Sequence, residues 1–332
     1  MSNQQWQQFI QTSTSPKNTG DISPLSDHET VMCDLSHLGL LQIDGADAFS
    51  FLQGQVTNDV KLLNGSTAHY TGYCTPKGRM LAIFLVFSHH DLIHLQMPRE
   101  LIEAVAKRLK MYVMRSKVAI QDVSDSIIKI GLSGPKASEL LNNLFSTVPQ
   151  NDYELVSLEN GALLKLPNKH GRFEIFTDIN HAQTIWSALS SHTTVADAAH
   201  WEWLEIQAGI PDVVLATQEE FVPQMLNLDL IGGINFKKGC YTGQEIVART
   251  HYLGSIKRRT YLAHVSHVEK PNPGDNVLNA ANETVGKIVR SAASPNGGYD
   301  LLAEIRCENV DNNQQLSIGG NALAIQSLPY PL

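Results

Sequence analysis

The chain has 332 residues, of which 42% are hydrophobic and 17% charged, and its formal net charge is -8. At about 150 residues per domain, this length predicts two or three domains. The composition excludes a disordered chain, and the acidic balance argues against a general nucleic-acid binder. We found no leader-like start and no long apolar run. The sequence therefore predicts a cytoplasmic monomer with reduced thiols and no membrane segment.

The first 30 residues are polar and rich in Gln, Ser and Thr. Trp6, Phe9 and Ile10 fall at the spacing of one helical face, which allows one docked helical turn. Otherwise the sequence predicts a mobile tail over residues 1–30.

Strands and helices then alternate along the chain. Strands are predicted at 39–43, 69–73, 79–87, 91–97, 118–123, 126–132, 162–167 and 172–178, and helices at 46–54, 99–113, 136–145, 181–191 and 201–211. In the last helix we expect Gly209 to adopt the left-handed cap, and Pro211 forbids continuation. The break at Ser133-Gly134-Pro135 favours a domain boundary near residues 125–135.

After residue 254 the pattern consists of strands and Gly/Pro/Asn turns, with no helix between them. The predicted strands are 258–265, 276–279, 284–292, 299–305 and 321–328. Short strands at regular spacing are typical of a small β-barrel.

The stretch KKGCYTGQE (237–245) is the strongest candidate for chemistry. Its lysines precede the glycine, so it is not a Walker phosphate loop. Thr242 and Glu245 match a capping box that would begin a helix at Gly243. A thiolate at Cys240 would then be favoured by the helix end and by the neighbouring lysines. The alternative is a small buried residue at a tight turn.

Other cysteine chemistry has little support. Cysteines stand at 33, 74, 240 and 307, too far apart for a zinc knuckle or a CxxC pair. No histidine has a spacing that marks it as a catalytic base. One cysteine cannot hold an iron–sulfur cluster, which normally needs four ligands, so no metal site is predicted.

Four stretches together resemble one family. FVPQMLNLDLIGGINFKKGCYTGQEIVART (221–250) looks like the signature of the YgfZ-type folate-binding proteins, which are related to the glycine cleavage aminomethyltransferase (T-protein). DGADAFSFLQGQVTNDV (44–60), YCTPKGRM (73–80) and EIQAGIP (205–211) fit the same family in the expected order. The resemblance spans about residues 31 to 260.

The resemblance implies an α+β, three-domain aminomethyltransferase-like fold around a central channel that holds tetrahydrofolate or a one-carbon derivative. Its domains are expected at 31–125 plus 196–250 (folate binding), 126–195 (a second α+β domain) and 251–332 (a β-barrel). The implied function is an accessory role in maturation or repair of iron–sulfur enzymes, with tRNA thiomethyltransferases among the client proteins.

The implied site residues follow the motifs. The catalytic set is Cys240, Lys238, Gln244 and Glu245, and the folate contacts are Trp201, Leu38, Gln207 and Tyr241. Leu38 stands where some members have a second tryptophan, and Gln207 stands where many relatives have glutamate. A flat indole at Trp201 would offer a wall for the pterin, the alternative being a helix residue packed in the core.

Two rival functions remain open. The first is a true one-carbon transferase, but aminomethyltransferases carry an aspartate on the strand after Lys77-Gly78, where this chain reads Arg79-Met80-Leu81-Ala82. Without that acid–base residue the transfer is not expected. The second is a weak, direct tRNA contact through the basic residues between 107 and 117, the alternative being a solvated face.

Overall fold

The computed structural model describes residues 2–13, 25–26, 28–266 and 269–332. Its strands are β1 Val31–Asp34, β2 Leu38–Asp44, β3 Ala68–Cys74, β4 Met80–His89, β5 Leu92–Pro98, β6 Ala119–Asp122, β7 Ile128–Ser133, β8 Leu155–Leu158, β9 Gly161–Leu166, β10 Arg172–Thr177, β11 Thr194–Ala196, β12 Arg258–Val265, β13 Asn276–Asn279, β14 Thr284–Ala293, β15 Tyr299–Arg306, β16 Leu316–Ile318, β17 Asn321–Ala322 and β18 Ala324–Gln326.

The α-helices are α1 Ser2–Ser13, α2 Ala48–Gln53, α3 Ile102–Val113, α4 Ala137–Leu144, α5 Ile179–Ser190, α6 Ala198–Gln207, α7 Gln244–Tyr252 and α8 Cys307–Asp311. Within the part of the chain that the structure describes, none of them is both long and apolar enough to pass through a bilayer.

The chain forms two compact units, each built from separate segments. The first unit comprises Met1–Ala48, Leu62–Ala68 and Val86–Trp201, and the second comprises Phe49–Lys61, His69–Leu85 and Glu202–Leu332. The predicted three-domain division has other boundaries, since its folate-binding domain contains segments of both units, and it stays a prediction.

The first unit contains a six-stranded sheet with the order β11-β1-β7-β10-β9-β8. Alternate residues of its strands enter an apolar core with α1, α4 and α5; the buried members of the central strands are Ile128, Ile130, Leu132, Phe173 and Ile175. Successive side chains of a strand point to opposite faces of the sheet. The residues between these core residues therefore lie on the other face of the sheet.

The start of the chain differs from the predicted mobile tail. Residues 2–13 form the 12-residue helix α1, and Trp6 is fully buried in the core of the first unit. The Trp6 ring packs edge-on against Trp186 at 5.4 Å, and its Nε1 donates to Asp34 at 2.9 Å. The predicted spacing of Trp6, Phe9 and Ile10 therefore marks a docked helix longer than one turn. Residues 14–24 of that tail lie outside the described residues.

A five-stranded sheet has the order β3-β4-β5-β2-β6, and helix α3 packs on β2 and β6. Strand β4 is buried along almost its whole length, as its unbroken apolar run predicts. The predicted helix 99–113 begins as a 3-10 turn at Arg99–Leu101 and continues as α3.

The second unit contains the seven-stranded sheet β17-β16-β13-β14-β15-β12-β18. Its two edge strands, β17 and β18, are separated in the chain by Leu323 alone. Since one residue spans only about 3.5 Å, β17 and β18 follow each other end to end. This one stretch pairs first with β16 and then with β12, so the sheet forms a nearly closed barrel. The predicted barrel is confirmed, but the expectation that no helix interrupts it is wrong, because α8 follows β15.

We expect Trp6→Ala to lower the free energy of unfolding by about 3–5 kcal/mol, because it empties a fully buried indole site. Gln5→Ala is the matched control: Gln5 is exposed on the same helix, and its replacement should change stability by less than about 0.5 kcal/mol. Urea unfolding curves measure both. Equal curves for Trp6→Ala and the unmodified chain would contradict the docked helix.

Candidate functional site

The residues 237–243, here called the signature loop, are tied to the end of helix α2. The last carbonyl groups of a helix have no partner within it, and those of α2 and the following turn accept hydrogen bonds from the loop. Lys238 Nζ donates to the carbonyl oxygens of Gln53, at 2.6 Å, and of Val56. The Thr242 amide donates to the Gly54 carbonyl at 3.3 Å. The stretches 44–60 and 237–245 therefore fold against each other.

The signature loop also lies against the turn 75–78, which belongs to the third stretch of the resemblance. Gly243 has φ +85°, and a Cβ placed there would be 2.5 Å from the Thr75 carbonyl oxygen and 3.0 Å from Gly78 Cα. Only glycine combines this backbone angle with this close approach. Three of the four stretches thus meet in the second unit.

The predicted capping box is not formed. Helix α7 begins at Gln244, its N-cap is Gly243 in the left-handed conformation, and no side chain caps its first turn. The tertiary contacts of Gly243 and of the Thr242 amide fix the backbone instead. Glu245 is exposed and Gln244 is half-buried. Since the expected activation of Cys240 relied partly on this box, its reactivity stays a prediction.

Cys240 is the exposed cysteine of the chain, Cys307 is half-buried, and Cys33 and Cys74 are buried. The expectation of a thiol enclosed at a tight turn is therefore not met. Burial raises the pKa of Cys74 to about 12 and that of Cys33 further, which keeps both as inert thiols.

Lys238 and Tyr241 flank the exposed cysteine in the signature loop. Both are buried, and the Lys238 ammonium lies 4.9 Å from the centre of the Tyr241 ring. Burial lowers the pKa of Lys238 to about 8, an effect that the charge of Asp59 opposes. Burial also raises the pKa of Tyr241, with a smaller contribution from Cys74. Lys238 therefore has a clear structural role, and its catalytic role stays a prediction.

Trp201 lies on the six-stranded sheet of the first unit and is 1% exposed. A Cβ at Gly131 would be 2.6 Å from its six-membered ring, and the Arg172 guanidinium lies over the ring at 5.4 Å. This enclosure leaves no ring face open for stacking. Its buried Nε1 has no hydrogen-bond partner among the described residues. Because this nitrogen is itself buried, contact between a ligand and the N–H requires the surrounding side chains to move.

The face of the sheet beneath Trp201 is charged and buried. Arg172 and Glu174 on β10 and Lys129 on β7 are all at most 2% exposed. Lys129 Nζ donates to the carbonyls of Ser124 and Ile127, at 3.1 and 3.3 Å, and burial lowers its pKa to about 8. Buried charges of this kind are uncommon outside functional or paired sites.

The two other predicted folate contacts have different surroundings. Gln207 Nε2 donates to Asp300 Oδ2 at 3.1 Å, and the same oxygen accepts from Trp203 Nε1 at 2.8 Å. His264 Nδ1 lies 2.8 Å from the other oxygen of Asp300. Gln207 is therefore held by the barrel. Leu38 begins β2, pairs with Pro98 and is half-buried.

Sequence reasoning missed His69, whose electrostatic neighbours are Asp59 and Lys238. Its Nε2 is buried without a partner among the described residues, and burial lowers its pKa to about 4. Sequence spacing gave no sign of it, because it lies about 170 positions before Lys238. Gly131 could have been found, since a glycine inside an apolar strand indicates close approach by another group.

The chain is similar to known proteins over most of its length. The family model "GCVT N-terminal domain" matches residues 26–201. A tRNA-modifying protein YgfZ of Yersinia pseudotuberculosis serotype IB (strain PB1/+) is 31% identical over 306 residues, covering 91% of this chain and 92% of its own. The chain belongs to the YgfZ family. A tRNA-modifying protein YgfZ of Enterobacter sp. (strain 638) is 32% identical over 305 residues, covering 91% and 93%.

The fold of this YgfZ-family chain is also that of an aminomethyltransferase. It is similar to the crystal structure of glycine cleavage system aminomethyltransferase T from Bartonella henselae, with a TM-score of 0.69 and 15% identity, covering 91% of this chain and 86% of that one. The predicted aminomethyltransferase-like fold is confirmed.

We expect Gly243→Ala to lower the free energy of unfolding by at least about 2 kcal/mol, from the strained backbone angle and the overlap with the Thr75 carbonyl. The matched control is Gly239→Ala in the same loop, where an added Cβ meets no atom within 4 Å. Thermal and urea unfolding measure the difference. If the two variants are equally stable, the close approach at Gly243 is wrong.

Proposed function

We propose that this chain binds a reduced folate and uses the Cys240 thiol as an accessory factor in maturation or repair of iron–sulfur enzymes, so that it supports tRNA thiomethylation indirectly. The observation that carries the proposal is an exposed thiol on a loop whose flanking residues are fixed. Cys240 is exposed, while Lys238 on one side and Gly243 on the other are held by α2 and by the turn 75–78. A thiol on such a support keeps one position while remaining open to a partner.

Aminomethyl transfer is not the proposed activity. Strand β4 reads MLAIFLVFSH and follows Lys77-Gly78-Arg79, so no carboxylate is available on it. A general acid or base must reach the reacting nitrogen with a titratable group. The apolar, buried β4 offers none along its first nine residues.

The first unit supports folate binding through Trp201. Its indole N–H is a buried donor without a partner among the described residues, and an unpaired buried donor costs free energy that a ligand acceptor restores. A pterin ring carries such acceptors. When bound, a reduced folate supplies a carrier for a one-carbon unit, and this chain's part is to hold and orient it.

The cysteine supports the iron–sulfur part of the proposal. An iron–sulfur cluster normally needs four ligands, and one exposed thiol supplies one of them. A cluster bound to Cys240 would therefore be a substrate rather than a resident cofactor, and the client protein would supply its remaining ligands.

Folate binding is tested with Trp201→Phe, which keeps an aromatic ring and removes the N–H. We expect tetrahydrofolate affinity to fall about threefold to tenfold, the range of one hydrogen bond, as measured by anaerobic calorimetry. Trp186→Phe is the control, because Trp186 Nε1 is also buried and unpartnered among the described residues but lies in the apolar core. Unchanged affinity for Trp201→Phe, or equal loss in both variants, would remove Trp201 from the folate site.

The thiol is tested in cells that lack this protein. Thiomethylated tRNA nucleosides should be low there and should return with the unmodified chain or with Cys307→Ala, as quantified by mass spectrometry of digested tRNA. Cys240→Ala should restore less than about a tenth of that level, because an alanine cannot act as ligand or nucleophile. Full restoration by Cys240→Ala would exclude the thiol while leaving folate binding open.

A further inference from the structure

A cationic segment of the first unit has no part in the site described above. Between residues 104 and 118 stand Lys107, Arg108, Lys110, Arg115 and Lys117, with no Asp or Glu among them. These five residues, here called the α3 ridge, include a fifth of the chain's 25 Lys and Arg, although the chain as a whole is acidic.

Helix α3 presents the ridge outward because its apolar side is already used. Ile102, Val105 and Leu109 are its buried residues, and they recur three and four positions apart on one face. Lys107 and Lys110 are exposed and Arg108 is half-buried on the helix, and Arg115 and Lys117 are exposed just after it. The acids closest to it in the chain are Glu103, one turn earlier, and Asp122, and in the fold the Asp47 carboxylate accepts a hydrogen bond from the Lys117 amide at 2.7 Å.

Three large apolar side chains lie within the ridge and are open to solvent. Met111 is 63% exposed, Tyr112 39% and Met114 88%. Met114 also has φ +44°, a backbone angle that a non-glycine residue rarely adopts. Met114 is the C-cap residue of α3, where a positive φ commonly ends a helix, so the unusual feature is the bulky apolar side chain that this position exposes to solvent.

We propose that the α3 ridge binds RNA with unpaired bases, its cations contacting the phosphates and Tyr112 stacking on a base. Lys and Arg neutralise backbone phosphates, and an exposed aromatic ring among cations is the usual platform for an unstacked base. A lipid surface fits less well, because an interfacial helix inserts its apolar face into the bilayer. That face of α3 is packed against β2 and β6.

The charge of the whole chain fixes how this binding depends on salt. The net charge of the chain is -8, so the surface as a whole repels RNA. The attraction to RNA therefore comes from the ridge alone. With four or five phosphate contacts and about 0.7 counterions per contact for single strands, the slope of log affinity against log salt is about -3.

The test compares two variants of equal charge by filter binding to labelled total tRNA. The ridge variant carries Lys107→Gln, Lys110→Gln, Arg115→Gln and Lys117→Gln. The control carries Lys61→Gln, Lys136→Gln, Lys169→Gln and Lys270→Gln, four exposed lysines elsewhere. We expect the ridge variant to bind about tenfold more weakly or worse, with its salt slope near zero, and the control to stay within about threefold. Equal losses, or no binding by the unmodified chain at low salt, would overturn the proposal.

Two single substitutions separate base contacts from charge. Tyr112→Ala should weaken binding about fivefold or more through lost stacking, with an unchanged salt slope. Met114→Gly relieves the backbone strain, so the melting temperature should hold or rise while RNA affinity falls.

Vesicles of phosphatidylglycerol and phosphatidylcholine serve as the competing surface. If the ridge mediates binding to them and not to RNA, the RNA assignment is wrong.

Discussion

The hydrogen bonds that the signature loop makes to the end of α2 are the constraint on which the candidate site depends. A six-residue helix leaves most of its carbonyl groups without internal partners, and α2 is that short. Lys238 and the Thr242 amide supply donors to the carbonyl of Gln53, the last residue of α2, and to those of Gly54 and Val56 in the following turn. Since buried carbonyls without partners are costly, α2 and the loop each need the other to be stable. This mutual need explains why two stretches almost 200 residues apart in sequence both carry the family resemblance.

The same constraint separates the four cysteines. Cys33 and Cys74 are enclosed by their strands, where burial raises their pKa values. Cys240 lies between two anchored positions of the signature loop and is exposed. The difference therefore comes from tertiary anchoring, not from any property of the residues next to each cysteine in the chain. Its neighbour Tyr241 is buried in the same loop, so the loop backbone places two adjacent side chains in different surroundings.

Much of the fold could be predicted from the sequence, because it depends on local patterns. The apolar run of β4, the stop of α6 at Gly209, which does have φ +67°, and the turn-separated strands of the barrel are all present. What failed depended on distant contacts. Thr242 and Glu245 match a capping box, yet the approach of Gly243 to Thr75 overrides it. The tail prediction underestimated α1, because the partners that bury Trp6, such as Asp34 and Trp186, lie outside the tail.

The site was harder to predict than the fold for the same reason. Gln207 and Trp201 stand where the resemblance implies, and the partners of both side chains come from distant parts of the chain. Asp300, 93 positions after Gln207, accepts a hydrogen bond from the Gln207 side-chain amide. Gly131 and Arg172 enclose the Trp201 ring. Sequence spacing carries no information about such partners, so a motif can locate a residue without specifying what its side chain contacts.

The signature loop also shows how folding and chemistry can be assigned to different residues of one motif. Lys238 fills a folding role: a methionine of similar length would pack in its place but leave the Gln53 and Val56 carbonyls without donors. Gly243 is required by its backbone angle and by the Thr75 carbonyl. Cys240 differs from both, since its side chain is exposed and the fold makes no demand on the identity of that residue. The presence of a thiol at this position is therefore not explained by anything it stabilises, and this is the structural reason for proposing a function for Cys240.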